Sequence, residues 1–107
     1  MGIQFAEIIT DLKGADVKDE TGAPISLCKA CVDALDAPLK IDAEEGLKPK
    51  LRRNRMMEQI EAATKEIKPL TFDTGEIELI KNRVAAYYMR ASFVSKVCLM
   101  LDPASKE

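Results

Sequence analysis

Apolar positions first recur with helical spacing just after the N-terminal quarter of the chain. The residues that share this face are Leu27, Ala30, Cys31 and Leu35. Ser26 precedes them and is a typical N-cap, because its hydroxyl can accept a hydrogen bond from an unpaired backbone N–H of the first turn. The pattern therefore predicts a short helix over residues 26–36.

A second helical pattern covers residues 48–67. The apolar residues at a period close to 3.6 are Leu47, Leu51, Met57, Ile60, Ala63 and Ile67. Pro49 fits a helix only in its first turn, where the missing N–H has no intrahelical partner to lose. We therefore predict a helix that begins near residue 48, with this apolar stripe facing the core.

A third pattern extends from residue 74 to residue 101 and has the clearest start. Asp73 and Glu76 have the spacing of a capping box, in which each side chain accepts a hydrogen bond from the backbone N–H of the other residue. The predicted buried face consists of Ile77, Ile80, Val84 and either Tyr87 or Tyr88, and Val94, Val97, Cys98 and Leu101 continue the apolar stripe. Ser92 and Ser95 weaken the helix locally. One long helix and two helices with a bend at residues 90–92 both fit.

The first 27 residues have a mixed pattern. Residues 3–12 fit both helical spacing and a strand that enters a turn, whereas residues 23–27 fit a returning strand. We favour a short β-hairpin of these two pieces, which needs a helix to lie against. The fold class predicted for residues 1–107 is a single α+β, mostly helical domain. In it, the hairpin precedes three to four helices, of which the last two are long and antiparallel.

Composition is that of one globular domain, with 107 residues, 47% of them apolar, 32% charged, and a net charge of −2. There is no repeat of 20 to 50 residues. No apolar run reaches the roughly 18 residues of a membrane helix. The first residues lack a positively charged leader, so we expect a cytoplasmic location rather than export.

The three cysteines are the first candidates for chemistry. Cys28 and Cys31 form a Cys-x-x-Cys, which with Cys98 could support thiol exchange or supply zinc ligands. However, the sequence shows no βαβ frame around the motif, the chain has no histidine, and a fourth ligand is missing. Cysteines that pack on helix faces are the preferred interpretation. We therefore expect no metal, no cofactor and no catalytic residue, and hence a protein that is not an enzyme.

The second candidate is a run of basic residues at the start of the 48–67 helix. Its members are Lys48, Lys50, Arg52, Arg53 and Arg55. They can neutralise phosphates or contact an acidic partner, with Leu51 and the methionines facing inward. Acidic residues flank the run, and Glu58 is placed to pair with Arg55. Since few aromatic residues are available to stack on bases, a solvated face or protein interface is favoured, with nucleic acid as the alternative.

The third candidate lies at the end of the last helix, where apolar residues fall on more than one side. These residues are Val97, Leu99, Met100 and Leu101. A helix that is apolar nearly all round must be covered, and a second subunit is a reasonable cover for so short a chain. We therefore predict a homo-oligomer whose interface these four residues form.

Three segments, ITDLKGADVKDETGAPISLCKACVDAL, LKPKLRRNRMMEQI and LTFDTGEIELIKNRVAAYYMRASFVSKVCLML, give the chain a recognisable layout. An Asp-x-x-Gly turn leads to a helix, and a Lys/Arg-rich helix start and a capped helix follow. In this layout the chain resembles small uncharacterised proteins of tailed bacteriophages and prophages. The resemblance implies an accessory, regulatory or assembly protein that binds itself and another protein. It also implies the bacterial host cytoplasm, with association with the virion as an alternative, and it transfers no site residues.

Overall fold

The computed structural model of the protein describes residues 2–11, 13–37, 39, 46–88 and 90–102. Within these residues the chain forms four helices, α1 (Leu27–Asp36), α2 (Leu47–Lys65), α3 (Thr74–Tyr87) and α4 (Ala91–Leu101). The fold is mostly helical, as predicted. No described helix combines the length and the apolar character that crossing a membrane requires.

Helix α1 is the central element. It packs against α2, α3 and α4, whereas α3 and α4 also pack against each other. The predicted antiparallel packing of the 48–67 helix on the following helix is therefore wrong, because α2 and α3 each pack on α1 instead. The third pattern forms two helices, with Tyr88 and Arg90 in extended conformations between them.

Both predicted helix starts are confirmed. The Ser26 hydroxyl accepts a hydrogen bond from the Lys29 N–H at 3.1 Å. Asp73 accepts from the Glu76 N–H at 2.7 Å, and Glu76 accepts from the Asp73 N–H at 3.2 Å. These caps satisfy backbone donors that helices α1 and α3 leave without an intrahelical partner.

The core surrounds the predicted face of α1. Residues with no exposed surface include Phe5, Ile9, Ala30, Cys31, Ala34, Ile60, Ile80, Val84 and Val97. Phe5 also packs edge-to-face on Phe72, with ring centroids 6.0 Å apart. The N-terminal segment is thereby joined to the connection between α2 and α3, and Ile3 and Leu70 exchange two backbone hydrogen bonds beside it.

The carboxyl end of α1 receives two arginines from other helices. Arg53 of α2 donates from Nε to the Leu35 carbonyl at 3.1 Å. Arg83 of α3 donates from Nε to the Ala34 carbonyl at 2.9 Å and from Nη2 to the Ala37 carbonyl at 2.7 Å. Both arginines are buried. Cations at this position also interact favourably with the negative end of the helix dipole.

The structure does not show the predicted β-hairpin of residues 3–12 and 23–27. The described residues there form isolated bridges, which include Ile8 with Ser26, Thr10 with Asp16 and Lys18 with Pro24. The reason is an eight-residue repeat, ITDLKGAD followed by VKDETGAP. Each repeat reverses the chain, so the extended pieces between the turns are too short for a strand ladder.

The two repeats make the same turn. The Asp11 carboxylate accepts from the N–H groups of Lys13 and Ala15, at 2.8 and 3.1 Å. The Asp19 carboxylate accepts from those of Thr21 and Ala23, at 2.9 and 3.1 Å. Gly14 and Gly22 follow with φ of +84° and +86°, a conformation that glycine adopts without steric cost. The Thr21 hydroxyl also donates to Asp19, which lowers the pKa of this carboxyl.

A closed ring of backbone hydrogen bonds joins the three extended pieces. The Ile9 N–H donates to the Ile25 carbonyl, the Ile25 N–H to Val17, and the Val17 N–H to Ile9, at 2.9, 2.8 and 2.9 Å respectively. Ile9 is fully buried, and Val17 and Ile25 pack against the core. The repeat therefore builds a compact three-sided unit on which α1 begins.

We predict that Arg83→Met lowers the free energy of unfolding by about 3 kcal/mol, because it removes charged donors from one buried and one partly buried carbonyl at the end of α1. Urea unfolding followed by circular dichroism measures the change. Arg90→Met is the matched control, because Arg90 is exposed, and it should change stability by less than about 0.5 kcal/mol. Equal unfolding midpoints for the two variants would contradict the assignment.

Ile67 offers a stabilising substitution. The Lys68 N–H donates to the Ala63 carbonyl and the Ile67 N–H to the Thr64 carbonyl, which together form a Schellman motif. Its left-handed position, normally glycine, is occupied here by Ile67 with φ of 54°, although its side chain is 72% exposed. We predict that Ile67→Gly raises the free energy of unfolding by about 1 kcal/mol. Ile67→Ala is the control, and an equal gain from alanine would refute the backbone explanation.

Candidate protein-binding surface

The predicted basic cluster divides between the surface and the interior. Lys48, Lys50, Arg52 and Arg55 are exposed on the first half of α2. Arg53 is only 8% exposed and donates to α1, so it cannot contact a partner in the way that the sequence suggested. We refer to the four exposed cations, together with Leu47 and Leu51, as the α2 basic surface.

The two leucines are also placed differently from the prediction. Leu47 is 69% exposed and Leu51 is 53% exposed, whereas Arg53, Met56 and Ile60 form the buried side of α2. The predicted apolar stripe is therefore wrong over the first two turns of the helix. The physical reason is that this part of α2 lies beside the carboxyl end of α1, where carbonyl groups require donors. An arginine takes the inward position, and the leucines point outward.

One carboxylate lies close to the exposed cations, because Glu76 lines the same depression as Lys48, Arg52 and Arg55. None of the four forms an ion pair with another described residue. The predicted pairing of Arg55 with Glu58 does not occur, and Glu58 instead accepts a hydrogen bond from the Asn54 amide at 2.8 Å. The positive charge is therefore available to a partner.

Two shallow depressions lie on the α2 basic surface and share Lys48 and Arg52. One has a volume of about 410 Å³ and is also lined by Leu51, Arg55, Met56 and Glu76. The other has a volume of about 420 Å³ and is also lined by Pro49, Arg53 and Leu79. Each depression combines apolar side chains with guanidinium or ammonium groups. Such a lining suits a side chain that carries a carboxylate beside apolar atoms.

The helix dipole strengthens the positive potential of this surface. Lys48 and Lys50 lie in the first turn of α2, which contains no acidic residue, and Gly46 provides no side-chain cap. The unpaired N–H groups of a helix N-terminus carry partial positive charge, so cations there are locally unfavourable. A negatively charged partner would relieve this repulsion.

Aromatic residues are placed away from the α2 basic surface. Phe5, Phe72 and Phe93 are buried, and Tyr87 and Tyr88 contact each other at the end of α3. Proteins that bind single-stranded nucleic acid combine positive charge with exposed aromatic rings on which bases stack. The described part of this surface offers leucines in place of such rings.

The four residues predicted to form an oligomer interface on α4 divide between core positions and half-buried positions. Val97 and Leu101 are 0% and 2% exposed and belong to the core, which makes them unavailable to a second subunit in this structure. Leu99 and Met100 are half-buried. The most exposed large apolar side chains among the described residues are Ile67, Leu47 and Leu51, which lie on or directly after α2.

The cysteines have the environment of packing residues. All three are free thiols, and Cys31 is fully buried. Burial raises the pKa of the Cys31 thiol far above its usual value, and the neighbouring Cys28 and Cys98 raise it further. Burial is also the main cause of the raised pKa of Cys98. Among the described residues, no group of three histidine, cysteine or acidic side chains is arranged to hold a metal ion.

We predict that Cys31 of the folded protein resists a thiol-specific reagent at pH 8, because its thiolate is disfavoured by burial and the reagent cannot reach the sulfur. The double variant Cys28→Ser/Cys98→Ser isolates this thiol, and the same variant in urea provides the reactive control. The absorbance of the released chromophore measures the rate. Equal rates with and without urea would refute the buried position.

The sequence patterns failed to predict two features of the structure. Leu47 and Leu51 were predicted to lie in the core because their spacing is helical. Five cations surround them in the sequence, however, and so many charged side chains leave only a narrow face of this part of α2 for burial. The repeated Asp-x-x-Gly-Ala at residues 11–15 and 19–23 was visible in the sequence, but its period is shorter than the repeats that were sought.

Comparison of the chain with protein-family models, with curated proteins and with solved structures gives no match. Any partner of the α2 basic surface must therefore be inferred from its own residues.

Proposed function

We propose that this protein acts by binding, without catalysis, and that the α2 basic surface is where it contacts an acidic protein surface. The observation that carries the proposal is the exposure of Leu47 and Leu51 among four cations that have no ion pair in the described part of the chain. In protein interfaces, apolar anchors provide affinity, while charges around them orient the partner and accelerate association.

The leucines favour a protein over nucleic acid as the partner. Apolar side chains gain little beside a phosphate backbone, but they gain affinity when they pack against apolar side chains of another protein. A nucleic-acid-binding regulator is the second candidate function. It is supported by the same exposed cations, Lys48, Lys50, Arg52 and Arg55, which can neutralise phosphates.

The biological setting is part of the proposal. The resemblance in layout to proteins of tailed bacteriophages supports an accessory or assembly role in the cytoplasm of a bacterial host, as a homo-oligomer. Exposed apolar residues on so small a protein also support self-association. Leu99 and Met100 remain the candidates for an interface on α4, since Val97 and Leu101 are occupied in the core.

Two labelled probes test the choice of partner, an acidic amphipathic peptide of glutamates and leucines and a DNA duplex. We expect fluorescence anisotropy to show peptide binding that weakens at least about tenfold in Leu47→Ser/Leu51→Ser, because the apolar anchors are lost. Arg52→Ala/Arg55→Ala should weaken the binding of either probe, because both probes are anionic. Ile67→Ser is the matched control for loss of an exposed apolar side chain.

The outcomes separate the two functions. Peptide binding that depends on both the leucines and the arginines supports the proposed protein-binding role. Tight DNA binding that falls steeply with salt and ignores the leucine substitutions would replace it with the regulator. Absence of binding by either probe at low salt would refute the α2 basic surface as a binding site.

A further inference from the structure

A second groove lies beside α1 and contains carboxylates together with apolar side chains. Its lining includes Asp19, Glu20, Ile25, Asp33, Tyr87 and Tyr88, and its volume is about 460 Å³. We refer to it as the tyrosine groove. It lies between the second Asp turn, the first turns of α1 and the end of α3. The groove thus offers carboxylates together with aromatic and aliphatic surface.

The apolar part of the tyrosine groove is held firmly. Tyr88 packs on Phe93, with ring centroids 4.6 Å apart, and Tyr87 packs edge-to-face on Tyr88 at 4.8 Å. Tyr88 and Asp33 line the same groove, and burial, followed by the Asp33 carboxylate, raises the pKa of the Tyr88 hydroxyl. Tyr87 is 41% exposed and can cover a side chain from a partner.

The charged residues that line the groove carry a small net negative charge. Three of them are acidic, Asp19, Glu20 and Asp33, and two are basic. Lys18 and Lys29 also line the groove, but Lys29 is paired with Asp33 at 3.4 Å. Glu20 is exposed and has no partner among the described residues. It is therefore the carboxylate most available to a cation from outside.

We propose that the tyrosine groove binds the α2 basic surface of a second copy of this chain. This inference rests on the proposed function and names the partner of the same surface. Leu51 of one copy would pack against Tyr87 of the next, while Arg52 and Arg55 would face Glu20 and the acidic turns. Both surfaces pair apolar side chains with charge, and the charges are opposite in sign.

The positions of the two surfaces define the geometry of the assembly. Arg53 anchors the α2 basic surface at Leu35, near the carboxyl end of α1, whereas the tyrosine groove includes Lys29 in the first turn. The groove also includes Asp33, two residues before Leu35, so the two surfaces differ in their residues and are not confined to opposite ends of α1. Because the two surfaces share no residue, a contact between one of each is heterologous. Copies joined in this way associate head to tail, which produces a ring or an open chain of subunits.

Charge reversal on one surface at a time tests the pairing. The first variant, Arg52→Glu/Arg55→Glu, removes the basic surface and keeps the groove. The second, Glu20→Lys/Tyr87→Ser, removes the groove and keeps the basic surface. Controls are Lys65→Glu and Glu61→Lys, which change exposed charges elsewhere on α2. Circular dichroism first establishes that every variant is folded, and sedimentation equilibrium then measures mass at about 50 mM and about 500 mM NaCl.

We expect wild type and both controls to form oligomers larger than a dimer at low salt, and these should weaken at high salt. Each double variant alone should be a monomer. An equimolar mixture of the two should form a 1:1 heterodimer and nothing larger, because it contains one intact groove facing one intact basic surface. That result would support head-to-tail pairing directly.

The remaining outcomes overturn the inference in distinguishable ways. If the groove variant keeps the wild-type mass, or if the mixture stays monomeric, the tyrosine groove is not the partner, while peptide binding by the α2 basic surface is unaffected. If Leu99→Glu/Met100→Glu alone abolishes the oligomer, the interface lies on α4. If wild type is a monomer at every concentration, both the inference and the proposed homo-oligomer are wrong.

Discussion

The structure depends on how both ends of α1 are satisfied inside the protein. A buried helix end leaves backbone groups that water cannot reach, so other parts of the chain must supply partners. At the amino end, Leu27 and Cys28 donate to the carbonyls of Glu7 and Phe5, and Ser26 caps the first turn. At the carboxyl end, Arg53 and Arg83 provide the donors. Every other element is positioned by one of these contacts or packs directly on α1.

The buried position of Arg53 also determines which side chains of α2 lie on the surface. Because Arg53 occupies the inward position of the first half of α2, Leu47 and Leu51 cannot lie on the same side and become exposed. The remaining cations surround them on the outer side of the helix, without ion pairs in the described part of the chain. The same requirement that stabilises α1 therefore creates the apolar and positively charged surface that the proposed function uses.

The amino end of α1 has a corresponding consequence. The two Asp-x-x-Gly turns return the chain to the ring formed by Ile9, Val17 and Ile25, which directs their polar residues outward beside the first turn of α1. Acidic residues of this unit and the paired tyrosines then form one groove. Function by binding is consistent with such an arrangement, because two surfaces that differ in charge can contact partners without a moving part.

Features that arise within a few residues of one another could be predicted from the amino-acid sequence. The caps at Ser26 and Asp73 were predictable because they join a side chain to a backbone N–H three residues away. The buried face of α1 was predictable because helical period alone selects it. Which side chains of α2 face inward depends on tertiary contacts, because the inward position of Arg53 is set by the carbonyl group of Leu35, which is remote in sequence. The three-sided unit at residues 9–25 likewise required contacts between turns that no single segment contains, since each of its three backbone hydrogen bonds joins different pieces of the chain.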